Sequence, residues 1–143
     1  MVRWLSWLAS FFLALALAAG EPGGLTASKP EVRRAVVAVV ESQLAALRGN
    51  DLDTAYNLLG AQLRREKPFQ LFVAIVESNY PEIWENQRAD FGIVRDDGRM
   101  ATVLVHVTGA RGSATYRYTL VGERGGWRIH GIVLHEPDRE SKL

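Results

Sequence analysis

The sequence has 143 residues, of which 48% are apolar and none is cysteine, and its 17 basic and 16 acidic residues give a formal net charge of +1. These values describe one globular domain and argue against a disordered chain, a disulfide-stapled mini-protein or a strongly basic nucleic-acid binder. Arg3 is the single charged residue among the first twenty, so 16 basic and 16 acidic side chains remain beyond them. We therefore expect no nucleic-acid partner.

The first twenty residues have the three-part pattern of a secretory signal peptide. Arg3 precedes an apolar run from Trp4 to Ala19, and small residues stand before Glu21. Sixteen residues make about 24 Å of helix, which is shorter than the roughly 30 Å hydrocarbon core of a bilayer. We expect a cleaved signal peptide over residues 1–20 and an exported domain that is periplasmic or secreted. The alternative is that residues 1–20 stay uncleaved as an anchor and display the same domain outside the cytoplasm. The domain would then contact a membrane only through this segment.

Three amphipathic helices are predicted after a flexible, glycine-containing spacer at residues 21–27. Ser28 and Glu31 stand three residues apart and can cap the first helix, which Gly49 ends. Asp51 can cap the second helix. The predicted bounds are Ser28 to Gly49 for the first helix, Asp51 to Gly60 for the second, and Pro68 to Asn79-Tyr80-Pro81 for the third.

From Glu85 onward the apolar period changes from about 3.6 to 2, which predicts four strands. The predicted turns are Asp97-Gly98, Arg111-Gly112 and Gly125-Gly126. A two-residue turn at Asp97-Gly98 would mix the two faces of the sheet, so we expect a longer loop or a bulge there with Gly98 left-handed. The strands then form an antiparallel meander with one face toward the helices.

The same alternation predicts the register and the faces. Folding about Arg111-Gly112 places Val105 opposite Tyr118, and the fourth strand follows with Tyr118 opposite Gly131. The outward face then mixes apolar and polar side chains, and we expect a homodimer, where one forms, to use it. The candidate interface residues are Leu104, His106, Arg117, Ile132 and Leu134.

Several core and turn residues carry a resemblance to a known family: Glu41-Ser42-Gln43-Leu44-Ala45-Ala46-Leu47, Ala55-Tyr56, Phe72, Tyr80-Pro81, Phe91-Gly92, Tyr118 and Trp127-Arg128-Ile129 with Gly131. With them, the region from Val32 to Pro137 resembles an uncharacterised bacterial family of exported proteins, classed as a domain of unknown function. Three helices before a curved four-stranded antiparallel sheet also resemble the cone-shaped nuclear transport factor 2-like fold, called cystatin-like as well. The resemblance implies an α+β cone domain at residues 28–137, a polar tail at 138–143 and an export route.

Folds of this type often hold a pocket between helices and sheet, and some relatives are isomerases, dehydratases or hydrolases. Such chemistry needs a base inside the pocket and a donor that stabilises the oxyanion. The expected inward faces offer donors but no acid or imidazole, because Asp90, His106 and His130 fall on the opposite face. A carboxylate from Glu77 or Glu82 would require a different helix placement, so no catalytic residue is assigned. The candidate ligand contacts are Tyr56, Trp84, Tyr116, Tyr118 and Trp127.

The histidine spacing also argues against a metal site. His106 and His130 stand roughly 10 Å apart across an intervening strand, whereas ligands of one zinc ion lie about 2 Å from it. We therefore expect no metal and no cofactor. The leading hypothesis is an exported, non-enzymatic domain that binds a small ligand of unknown identity or another protein. The alternatives are an isomerase- or hydrolase-type enzyme with a tyrosine-lined pocket, and membrane-anchored display of the same domain.

Overall fold

The computed structural model describes residues 24–136, in which helices pack against one antiparallel sheet. The predicted signal peptide and polar tail lie outside the described residues. In chain order the elements are β1 (Thr26–Ala27), α1 (Pro30–Arg48), α2 (Leu52–Asn57), α3 (Ala61–Glu66), α4 (Phe69–Asn79), α5 (Pro81–Trp84), β2 (Asn86–Phe91), β3 (Arg95–Asp96), β4 (Met100–Gly109), β5 (Gly112–Glu123) and β6 (Gly126–Leu134).

The three predicted helices are confirmed as α1, α2 and α4. Asp51 caps α2 as expected, because its carboxylate accepts a hydrogen bond from the Thr54 backbone N–H at 3.2 Å. The predicted cap of α1 is wrong, since its first turn has no side-chain cap and the Ser28 hydroxyl instead donates to the Asp96 carboxylate. That bond ties the start of α1 to β3. The short helices α3 and α5 were not predicted.

The sheet has the order β1-β3-β4-β5-β6, and β2 pairs with β4 beside β3. The predicted first strand is therefore split in two, and residues 92–94 separate β2 from β3. Thr26 pairs with Asp96, so the last part of the predicted flexible spacer is a short strand. The meander of the remaining strands is confirmed.

Between β4 and β5 the predicted faces are right although the register differs by two residues. Val105 lies opposite Tyr116, and Val103 lies opposite Tyr118. An even shift leaves every side chain on its predicted face, because side chains alternate with a period of two. The difference arises because Gly109 pairs with Gly112, so the turn residues are 110 and 111.

One-residue shifts change the predicted faces at two other places. Gly98 is left-handed as expected, with φ of 89°, but the register gains one residue between β2 and β3. Ile93 is consequently 63% exposed and Val94 is buried, which is the reverse of what unbroken alternation from the inward-facing Phe91 would give. Such a shift moves side chains to the opposite face.

The second shift lies in β6, where Thr119 pairs with Gly131 and Leu120 pairs with Ile129, which leaves one residue without a partner. Tyr118 therefore lies opposite Ile132, and the predicted pairing with Gly131 is wrong. Ile132 and Leu134 consequently share the inner face with the β5 tyrosines, not the outward face. The residue between them, Val133, faces outward and is 63% exposed.

The core lies between the inner face of the sheet and α1. It includes Val36, Val40 and Leu44 from α1, and Val103, Val105, Tyr116, Tyr118 and Ile129 from the sheet. Two buried amides tie the helices to this core. The Gln43 side chain donates to the Ala55 carbonyl at 3.2 Å, and the Asn86 side chain donates to the Leu44 and Ile83 carbonyls at 3.0 and 2.8 Å.

Candidate functional site

An apolar groove, here called the β6 groove, opens between the helices and the last strand. Its volume is about 230 Å³. Among the described residues, Lys67 is the one charged residue in its lining, beside Tyr80 and a glycine, and the other lining side chains are aliphatic or aromatic hydrocarbon. The lining residues are Leu59, Leu63, Lys67, Phe72, Ile75, Val76, Tyr80, Gly131, Ile132 and Val133.

The groove exists because α3 is anchored to the first half of β6 only. The Gly60 N–H donates to the Ile129 carbonyl at 2.8 Å, and the Ile129 N–H donates to the Leu58 carbonyl at 2.9 Å. The Ala61 N–H at the start of α3 is held by the Glu123 carboxylate at 2.9 Å. The register shift of β6 lies at the next residue after Ile129. Strands bend at such bulges. Beyond this bulge, residues 131–133 line the groove.

Tyr80 separates the β6 groove from the sheet interior. Its hydroxyl donates to the Ile132 carbonyl at 2.9 Å, which holds the end of α4 against β6. Its ring packs on the ring of Tyr116, with centroids 5.6 Å apart and planes tilted by 51°. Tyr80 was not among the candidate ligand contacts, since its position between Asn79 and Pro81 suggested only a helix end.

Behind Tyr80, the buried Tyr116 hydroxyl donates to the Glu82 carboxylate. The expectation that no acid reaches the inner side of the sheet is therefore wrong, because Glu82 approaches it from α5. Glu82 reaches Tyr116 because it lies on α5, and α5 packs closely on β4. A side-chain carbon at Gly109 would lie 3.1 Å from the Cα and the carbonyl oxygen of Glu82, so any other residue there would push α5 away by a few tenths of an ångström.

The buried tyrosines are hydrogen-bond donors and not bases. Burial raises the pKa of the Tyr116 phenol well above its usual value, and the adjacent Glu82 raises it further. Burial likewise raises the pKa of Tyr118, helped by Tyr116 and Tyr80. Both phenols therefore keep their protons at neutral pH. Within the described residues the Tyr118 hydroxyl has no hydrogen-bond partner.

The five candidate ligand contacts do not line the β6 groove. Tyr116 and Tyr118 are buried in the core. The Tyr56 hydroxyl lies 3.0 Å from the carbonyl oxygens of Arg64 and Lys67, which links α2 to the loop after α3. Trp84 and Trp127 are half-buried against the core cluster.

On the outward face, the structure places three of the five candidate interface residues together. Leu104 lies opposite Arg117, and His106 lies opposite Thr115, whose hydroxyl is 3.0 Å from the imidazole Nδ1. Ile132 and Leu134 lie on the other face, as the β6 register requires. The patch predicted for a homodimer therefore divides between two faces of the sheet.

The described residues, 24–136, hold neither a metal-binding cluster nor a membrane-spanning helix. In this part of the chain, no group of three or more histidine, aspartate or glutamate side chains is arranged to hold a metal ion. No helix in the same range has the length and apolar character needed to cross a bilayer.

The fold and the site define an α+β domain with helices packed on an antiparallel sheet and with the apolar β6 groove at one edge of that sheet. Residues 29–142 match the family described as Domain of unknown function (DUF4864), and the chain belongs to this family. No curated protein matches the chain.

Proposed function

We propose that the domain binds a small molecule with an apolar body and one anionic group in the β6 groove. The observation that carries this proposal is an apolar lining in which Lys67 is the single charge contributed by residues 24–136. A volume of about 230 Å³ holds about eight non-hydrogen atoms at roughly 30 Å³ each, so a longer ligand would extend into solvent. Ligand sites are typically apolar with a few polar groups that fix orientation.

Lys67 favours an anion over a neutral ligand. Lysine side chains lie along apolar surfaces with their methylene groups and keep the ammonium at the edge. No ion pair to Lys67 is present in the described part of the chain, and no carboxylate lines the groove. An anionic head group would therefore find an available cation. Medium-chain carboxylates have this chemistry.

The test compares octanoate with octanol, which has the same apolar tail and no charge. Titration calorimetry on the exported protein should give tighter binding of octanoate, and Lys67→Gln should bring the two affinities together. Lys29→Gln is the matched control, because Lys29 precedes α1 and does not line the groove. Ile75→Trp should reduce both affinities by filling the groove. Equal affinities in the unmodified protein would refute the anionic preference, and binding of neither compound would refute the site.

We also propose that this domain acts outside the cytoplasm, periplasmic or secreted, with a nuclear transport factor 2-like cone fold. The export proposal rests on the pattern of residues 1–20, with Arg3 before an apolar run. The helices packed on an antiparallel sheet support the fold. The mass of the mature amino terminus tests export, since a cleaved form lacks about the first 20 residues and an anchored form retains Met1.

An isomerase- or hydrolase-type enzyme is the second candidate, and the Tyr116–Glu82 hydrogen bond favours it. Tyr116 would turn its single O–H from Glu82 to a developing oxyanion, and the released Glu82 carboxylate would accept the proton lost by the substrate carbon or by the attacking water. Neither residue lines the β6 groove, so this candidate would use a different site from the one proposed above. Tyr116→Phe and Glu82→Gln should each abolish turnover of ketone or ester substrates. Unchanged turnover in both variants would exclude this candidate.

A further inference from the structure

The strand β2 has one edge without a partner in the described part of the chain. Its other edge pairs with β4, and the Gly92 N–H after it donates to the Leu104 carbonyl at 2.8 Å. Because antiparallel residues alternate between bonded and non-bonded pairs, even-numbered residues bond to β4 and the backbone of Ala89 and Phe91 points away. Within residues 24–136, no hydrogen bond to the N–H or C=O of these two residues is present. An open edge of this kind is a template for another strand.

The helix α1 runs beside this edge and leaves space next to it. Arg33 near its start donates to the Gly92 carbonyl at 2.6 Å, and Arg48 at its end donates to the Asn86 side chain. A cleft of about 490 Å³ lies between helix and strand. Five exposed α1 side chains line it. Three are small, at Ala38, Ser42 and Ala45, and the other two, Glu41 and Arg48, carry opposite charges. Small side chains permit close approach of a further element.

The charges beside the open edge are complementary to a second copy of the same edge. Arg88 and Asp90 flank Ala89, point to the outward face, and form an ion pair at 3.1 Å in which both side chains are more than half exposed. If two β2 strands pair antiparallel about a two-fold axis at Ala89, Arg88 lies directly opposite Asp90 of the partner subunit. The symmetry produces this pair twice. Opposite charges at such positions stabilise strand pairing.

We propose that the protein forms a homodimer by antiparallel pairing of β2 with β2, with the two α1 helices side by side. A two-fold interface uses the same patch on both subunits and closes after two copies. The charge order Arg88-Ala89-Asp90 is self-complementary in the antiparallel register, which is why a second copy fits this edge. This homodimer uses an edge of the sheet, whereas the expectation from the sequence was its outward face.

A charge-exchange experiment tests the register. Arg88→Asp makes both flanking positions acidic, and Asp90→Arg makes both basic. By sedimentation equilibrium of the exported protein, each variant alone should dimerise about tenfold or more weakly than the unmodified protein, because two attractive pairs become repulsive. An equimolar mixture should form heterodimers, because an all-acidic edge then faces an all-basic one. The ion pair within one chain is absent in both variants, so its loss does not explain the rescue.

Two further variants keep the proposal open to refutation. Ala89→Pro removes the backbone N–H that points away from β4 at the open edge, and it removes no bond to β4. It should therefore weaken the dimer while the urea midpoint of the monomer changes little. Arg117→Asp reverses a charge on the outward face of β5, which is not at the β2 edge, and should leave the dimer intact. Dimerisation lost in Arg117→Asp but kept in Arg88→Asp would move the interface to the outward face. An unmodified protein that stays monomeric at its highest soluble concentration, or one that pairs β2 only with an added extended peptide, would overturn the proposal.

Discussion

Tyr116 and Tyr118 are neighbours on the inner face of β5, and both are almost fully buried, yet within the described part of the chain only the Tyr116 hydroxyl has a hydrogen-bond partner. Inward orientation of both residues follows from strand alternation, and it was predicted from the sequence. The difference between them does not follow from alternation, because Glu82 comes from α5, a single turn that is distant in the chain. Partners contributed by short, aperiodic elements are the part of a site that a residue pattern does not encode.

This difference predicts opposite effects of the same substitution. Tyr116→Phe leaves the Glu82 carboxylate without its donor and should lower the free energy of unfolding by about 1–3 kcal/mol. Tyr118→Phe removes a hydroxyl that has no partner among residues 24–136, and it should leave stability unchanged or raise it by up to about 1 kcal/mol. Urea denaturation of the two variants measures both values. A larger loss for Tyr118→Phe would show that an ordered water serves its hydroxyl.

The buried phenols also predict a loss of stability at alkaline pH. A free tyrosine loses its proton near pH 10, whereas burial holds the pKa of Tyr116 and Tyr118 above that value in the folded state. The stability contributed by the protonated phenols is therefore complete below pH 10. It falls as the pH rises further, because the unfolded chain then binds fewer protons than the folded chain. The slope is at most about 1.4 kcal/mol per pH unit for each tyrosine. Urea midpoints above pH 10 measure it, and a double variant to phenylalanine should show a smaller slope.

Among the elements, those with a long period or a defined cap were predictable and the rest were not. The helix α1 has five turns of apolar repeat, and α2 begins at a capping aspartate, so both were identified. The helices α3 and α5 have six and four residues, which is too short for a helical period to be distinguished. The register shift in β6 was missed because an extra residue changes no local pattern, although it exchanges the faces of every residue after it.

Close packing of α5 on β4 predicts a strong effect of one methyl group. Gly109→Ala places a carbon 3.1 Å from the Glu82 backbone and 3.3 Å from the Glu85 carbonyl oxygen, so α5 has to move. The free energy of unfolding should fall by about 1–3 kcal/mol. Gly131→Ala is the matched control, since no atom lies within 4 Å of the added carbon there. Equal urea midpoints for the two variants would contradict this account of how Glu82 is placed.

For the molecule as a whole, the two proposed surfaces lie at opposite edges of one sheet. The β6 groove is formed at the last strand, and the β2 edge lies beyond β4 and β5. At about 4.8 Å per strand, roughly 14 Å of sheet separates β2 from β6. The helix α1 borders the β2 edge and does not line the groove. Each surface can therefore be altered without changing the residues of the other.

This separation predicts that ligand binding and dimerisation are independent. The octanoate affinity of Arg88→Asp should agree with that of the unmodified protein within about twofold, and saturating octanoate should leave the dimer dissociation constant unchanged within the same limit. Coupling between two sites is reciprocal, so both measurements must give the same factor. A tenfold effect in both would mean about 1.4 kcal/mol of coupling, which a rigid sheet between the sites does not supply. Calorimetry of the variant and sedimentation with and without octanoate distinguish these outcomes, and Lys67→Gln in the second experiment shows whether any effect arises at the groove.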